Sequence, residues 1–301
     1  MRNRNLYVIV AVTFAISLLA FQFTKSTSSS LDYIIRAKYH VRAFLGLPKD
    51  WPPVPAAPQI NGRSPVECPP QDDAIVIVTG GQSNAANTNS VRSETKSGDG
   101  VFDFFDGRCF VSSDPVPGAS GDNGSLWPLL GLWIAGSTSR PVVMLHGAIG
   151  GTQVEDWLDR RSGYLESLTN RIMYLRSFGF EPDLVIWHQG ETDAAVVSDM
   201  GYLKENFTEL MKALHLAAPK GSIYLFQASK CLGMGRENGI RQFTLTQALV
   251  ADELDFVIRG LNTDSLGNDL RWDTCHFNAA GRKEIVSRVG PNLIVALRVS
   301  K

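Results

Sequence analysis

The chain has 301 residues, 44% of them apolar and 20% charged, with a formal net charge of −1. That apolar share supports a large buried core and excludes an intrinsically disordered chain. The balance of 29 Lys and Arg against 30 Asp and Glu, with no long basic block, argues against nucleic acid as the main partner.

Residues 1–5 carry Arg2 and Arg4 ahead of the apolar run 6–23, LYVIVAVTFAISLLAFQF. The run has about the length a helix needs to span a bilayer, and it reads as an uncleaved transmembrane signal anchor with residues 1–5 as a cytoplasmic tail. A cleaved signal peptide has a shorter apolar core and a small-residue cleavage site, which does not follow Phe23. Either way the rest of the chain is expected on the exported face, periplasmic or extracellular, anchored to the membrane or secreted. Residues 24–71 read as a stalk followed by a proline-rich, extended spacer, and residues 72–301 as the folded domain. Cys68, Cys109, Cys231 and Cys275 fit an oxidising compartment. Four cysteines allow three pairings that sequence does not separate; Cys68 with Cys109 and Cys231 with Cys275 is the expected one. No Cys-x-x-Cys or His-rich spacing suggests a zinc site.

Within the domain, the runs 74–78, 142–145, 184–187 and 223–226 are apolar and read as buried strands, and 101–105 is strand-like. Residues 165–178 and 243–254 read as helices. So does 203–214, where Leu203, Phe207, Leu210, Met211 and Leu214 share one helical face; 285–297 reads as a helix interrupted at Gly290-Pro291. Strand and helix alternating in this way predict parallel pairing with right-handed crossovers, hence a three-layer α/β/α sandwich around a central, mainly parallel sheet. Residues 88–125 are irregular and polar, as substrate-shaping insertions are. Trp127, Trp133 and Trp157 lie near them and are candidates for a sugar platform, although burial is the commoner fate of tryptophan.

Chemistry-bearing residues fall at strand ends. Ser83 follows Gly80-Gly81 after the first strand; taken alone, that turn reads as a polar helix cap, and taken with a base it reads as a nucleophile. Gly150-Gly151 follows the second buried run and can present a backbone N–H to developing negative charge. Gln189, in His188-Gln189-Gly190-Glu191-Thr192-Asp193, offers a side-chain amide donor. Asp273 lies three residues before His276, close enough to orient its ring, and Asn278 is placed to cap the last helix.

Gly81-Gln82-Ser83-Asn84, Gly150-Gly151-Thr152 with Trp157 downstream, Gln189-Gly190-Glu191 and Asp273-x-x-His276 together resemble the ordered blocks of the SGNH (GDSL-like) hydrolase superfamily. The Gln-Ser-Asn and Gln-Gly-Glu variants are similar to the sialate O-acetylesterase and acetylxylan esterase branch, carbohydrate esterase family six. The resemblance covers about residues 72–301 and implies a flavodoxin-like sandwich and a serine esterase of acetylated carbohydrates that needs no cofactor and no metal. Carried over by position, it implies Ser83 as nucleophile, His276 as general base and then acid, and Asp273 as the orienting carboxylate. The Ser83 and Gly151 N–H groups and the Gln189 amide would form the oxyanion hole. Gln189 stands where the wider superfamily has Asn. Glu191 is expected to support Gln189 or to bind a sugar hydroxyl; His146 and His188 are expected to be structural or to support site residues from behind. An acyltransferase using the same triad and an inactive glycan-binding module are the alternative expectations.

Overall fold

The structure is a computed structural model and describes residues 49, 51–197, 199–231 and 240–299. The expected membrane helix at 6–23 and the stalk at 24–47 lie outside the described residues. Among the described residues, no helix is long and apolar enough to cross a membrane.

The β-branched and apolar runs form the strands they predict: β1 (Ile75–Gly81), β2 (Val101–Phe105), β4 (Val142–His146), β5 (Leu184–His188) and β6 (Ser222–Gln227). Two further strands, β3 (Arg108–Val111) and β7 (Val257–Asn262), complete a seven-stranded sheet of order β3-β2-β4-β1-β5-β6-β7. Every pairing is parallel except β2 with β3. All residues of β1, β4 and β5 are buried, as strands covered on both faces must be.

Alternation along the strands sorts side chains between two helical layers. Val76, Val78, Val143, Leu145, Val185 and Leu225 face a core completed by α3 (Tyr164–Ser177), α5 (Met200–Ala217) and α6 (Arg241–Glu253). Ile75, Ile77, Val142, Met144, Ile186 and Phe226 face α1 (Trp127–Thr138) and α7 (Ala279–Val299) on the other side. The molecule is therefore the three-layer α/β/α sandwich that the alternation predicts. Short helices α2 (Val154–Leu158) and α4 (Glu191–Val196) follow the ends of β4 and β5.

Two local expectations change. The last helix runs through Gly290-Pro291 without the interruption expected there. A proline removes one helical hydrogen bond, but Val289 and Leu293 on either side are fully buried, and Gly290 meets the Trp133 ring so closely that a Cβ there would lie 2.5 Å from it. Packing outweighs the lost bond. The proline-rich segment, expected to be a free-standing spacer, lies on the domain from residue 51 to 71. Trp51 Nε1 donates to Asp156 Oδ1 at 3.1 Å, Tyr164 donates to the Pro52 carbonyl, and Arg63 pairs with Asp103 at 3.2 Å. Cys68 is joined to Cys109 in β3, so this strap is covalently part of the fold. The second disulfide, Cys231–Cys275, completes the expected pairing.

Candidate active site

The chain order reverses at β1, and the crevice beyond the carboxyl ends of β1, β4 and β5 is where a sheet of this kind binds ligands. Gly80 and Gly81 are the last residues of β1, not the turn. A Cβ on Gly80 would lie 2.4 Å from the Trp187 ring, and one on Gly81, whose φ is +124°, would lie 2.0 Å from the His188 carbonyl oxygen. They let β1 close on β5, so that Gln82 N–H donates to His188 O at 3.0 Å. Ser83 then opens a 3-10 turn, Ser83–Ala85, whose capping position is taken by Gln82. Ser83 is thus no helix cap. It is largely buried, 9% exposed.

The turn after β4 lies alongside. Gly150 comes within 3.6 Å of Ser83 Cβ, measured from where its own Cβ would stand, and its N–H donates to Ser120 Oγ at 2.8 Å. Gly151 adopts φ +75° with open space around it, and among the described residues its N–H has no acceptor. Thr152 stiffens this turn: its Oγ1 donates to Ile149 O and accepts from Trp157 Nε1.

Gln189 is fully buried, and its amide donates to Thr152 O at 3.1 Å and, over a long 3.4 Å, to Asp193 Oδ2. Burial pushes the Asp193 carboxyl up to about 7, against a hydrogen bond from Val154 N–H that favours the anion. Glu191 is 1% exposed and accepts from Asn84 Nδ2 at 2.6 Å. The supporting contact of Glu191 thus falls on Asn84, beside Ser83, and not on Gln189. Glu191 is too deep to meet a sugar hydroxyl, while Asp193 is the carboxylate beside Gln189. The reason is geometric: Gly190 lets the chain enter α4 so that Glu191 faces back over β1.

Asp273 and His276 share one loop. Asp273 Oδ2 and His276 Nδ1 are 2.5 Å apart, and Asp273 Oδ1 accepts the N–H groups of Cys275 and His276. Burial raises the Asp273 pKa, but the His276 hydrogen bond and charge outweigh it and hold the carboxyl below its ordinary range. Among the described residues, His276 Nε2 has no protein partner. An Arg271–Phe277 bridge closes the loop, and Arg271 donates to Cys275 O and to Thr263 O. Asn84 Nδ2 also donates to Cys275 O, at 3.3 Å, so the residue after Ser83 is bonded to the residue before His276. Phe277 N–H donating to Asn89 Oδ1 is a second tie. The structure thus sets Gly150-Gly151 beside Ser83 and ties the Asp273–His276 loop to the Ser83 turn through Asn84 and Asn89, while Ser83 Oγ and His276 Nε2 make no hydrogen bond to one another.

A profile for the carbohydrate esterase, sialic acid-specific acetylesterase family matches residues 131–294, more than half of the chain. The chain belongs to this family. An Arabidopsis thaliana protein described as a probable carbohydrate esterase is 30% identical over 107 residues, 36% of this chain and 41% of the relative's length. A solved Arabidopsis thaliana structure superposes over 74% of this chain and 98% of its own with a TM-score of 0.57 at 16% identity, which bears on the fold alone. A carbohydrate acetylesterase from Xanthomonas citri covers 72% of this chain and 54% of its own, with 16% identity and a TM-score of 0.45.

Other titratable residues are structural. His146 bonds Thr79 Oγ1 at 2.8 Å and Asp103 Oδ1 at 3.1 Å, a hydroxyl, imidazole and carboxylate in line, yet all three are fully buried and out of reach of substrate. His188 packs against Phe226, and burial lowers its pKa. Among the described residues no cluster of three His, Cys, Asp or Glu could hold a metal ion. Trp127 and Trp157 are 0% and 1% exposed, so neither serves as a sugar platform. Sequence reasoning missed Asn84 as the link between the two halves of the site, and Trp272, which stands directly before Asp273.

Proposed function

We propose that the protein is a serine esterase that removes acetyl or similar short acyl groups from a carbohydrate through an acyl-enzyme on Ser83. The observation that carries this reading is the Asp273–His276 hydrogen bond on a loop bonded, through Asn84 and Cys275, to the turn that presents Ser83. Ser83 Oγ attacks the ester carbonyl carbon while His276 Nε2 takes its proton, and Asp273 stabilises the imidazolium. The oxyanion that forms accepts from the Ser83 and Gly151 N–H groups. Gln189 joins them by giving up its long bond to Asp193, the weaker of its two amide contacts. Each such donor is expected to lower the barrier by about 3 kcal/mol.

Collapse of the intermediate breaks the bond from the carbonyl carbon to the sugar oxygen, and His276 returns the proton to that oxygen. Water then attacks the acyl-Ser83 carbonyl, His276 again taking and returning a proton, to release the carboxylic acid and free Ser83. Two disulfides support an exported domain in an oxidising compartment. The test is acetate release from acetylated xylan and O-acetylated sialic acid by wild type and Ser83→Ala. A fall of about 10⁴-fold or more is expected in the variant, and unchanged turnover would overturn the mechanism.

A further inference from the structure

Resting on the esterase reading, the surface beside His276 says how the sugar is held. Of the six tryptophans, Trp272 is the one exposed, at 51%, and it stands next to the acid–base pair. Its ring lies 6.3 Å from the His276 ring, centroid to centroid, with the planes 29° apart. Its Nε1 donates to Thr88 O at 3.2 Å, and Thr88 Oγ1 in turn donates to Ser83 O at 2.5 Å. Its backbone N–H donates to His276 O at 2.9 Å. The indole is therefore fixed at both ends, between the Ser83 turn and the His276 loop, with half its surface in water.

Covering so large an apolar ring with a ligand removes its surface from water and is favourable. The indole's polar N–H is already satisfied, so what remains to be covered is a flat π-face carrying partial negative charge. A pyranose ring matches that face, since its axial C–H bonds are apolar and carry partial positive charge, while its hydroxyl and ester oxygens point outward around the rim. The fixed indole gives up little conformational freedom on stacking. We propose that Trp272 is the platform on which the pyranose ring of the acetylated substrate stacks, so that a rim ester is presented to Ser83 beside His276.

The test compares Trp272→Ala and Trp272→Phe with wild type on glucose pentaacetate and on ethyl acetate, an ester with neither sugar nor aromatic ring. Trp272→Ala should lose about tenfold in kcat/KM on the sugar ester, the size of one aromatic stacking contact. It should stay within about twofold on ethyl acetate, and Trp272→Phe should recover most of the loss. Equal losses on both esters would make Trp272 a support for His276 and overturn the proposal, as would no loss on either. If wild type cleaves neither ester and a fluorophosphonate does not label Ser83, the esterase reading fails separately. The platform is then read without turnover, by saturation-transfer NMR of glucose pentaacetate on Ser83→Ala. Transfer lost in Ser83→Ala/Trp272→Ala supports the platform, and transfer unchanged in that protein sinks it.

Discussion

Glu191 and Asn84 link the turn that carries Ser83 to the loop that carries His276. Glu191 Oε1 holds the Asn84 amide, which is then aimed at the carbonyl of Cys275, one residue before His276. A hydrogen bond to a charged group is worth about 1.5–3 kcal/mol, and the tie it orients sets where His276 stands. Glu191→Ala is expected to lower kcat by roughly tenfold to a hundredfold with a smaller change in KM. Glu191→Gln, which keeps an acceptor oxygen for Asn84, should retain most activity. Steady-state kinetics on an acetylated sugar decides it; Glu191→Ala with wild-type kcat would dissolve the link. None of this is visible in Gln189-Gly190-Glu191 as letters, because the partner of Glu191 lies 107 positions away across the sheet.

At the scale of elements, the loop after β6 and the loop after β7 are joined by Cys231–Cys275, which places a covalent tie one residue from His276. The other bridge, Cys68–Cys109, fastens the strap to β3, at the far edge of the sheet from β7. Each closes a loop of comparable length, with separations of 44 and 41, so by chain entropy each should contribute about 4 kcal/mol at most. Their effects on catalysis should differ. Cys231→Ala/Cys275→Ala is expected to lower kcat several-fold even well below its melting temperature, whereas Cys68→Ala/Cys109→Ala should lower the melting temperature and leave kcat near wild type. Thermal melts paired with kinetics check this; equal kcat in the two variants would contradict it. The buried parallel strands were legible as elements because β-branched runs covered on both faces have no other use. β3 was not, being four residues long, antiparallel and exposed at Arg108. The strap was misjudged because a proline-rich chain is extended whether it lies on a surface or projects from it. Trp272 escaped notice because its exposure is decided by the loop, not by its neighbours in sequence.

For the whole molecule, two interior carboxyls set a slope of stability with pH. Burial raises Asp193 from 3.8 to about 7 and Asp114 from 3.8 to about 6, so the folded protein holds protons that the unfolded chain has released. Where the folded state binds more protons, stability falls as pH rises. Their contribution should decline from about pH 4 and level off above about pH 7. Asp273 acts in the opposite sense at the acid end: its lowered pKa stabilises the fold above 3.8, and that stability is lost as pH falls below it. His188, whose pKa burial lowers, also works against the two buried carboxyls below pH 6.5, so the test is a difference between proteins: the urea midpoint of Asp193→Asn relative to wild type should rise from about pH 4 to about pH 7. A difference that stays constant across that range would contradict the assignment. The overall architecture and the order of the four site blocks were readable because three of the blocks follow buried strands and the fourth precedes the last helix. The interior proton balance was not, since burial belongs to the fold and not to any one residue.

The loop closed by Arg271 and Phe277 carries both Asp273 and His276, with their spacing fixed within three residues. In mechanical terms, a shift of this loop as a unit would keep the imidazole–carboxylate distance and change only the reach of His276 to Ser83, so the proposed proton relay has one adjustable gap.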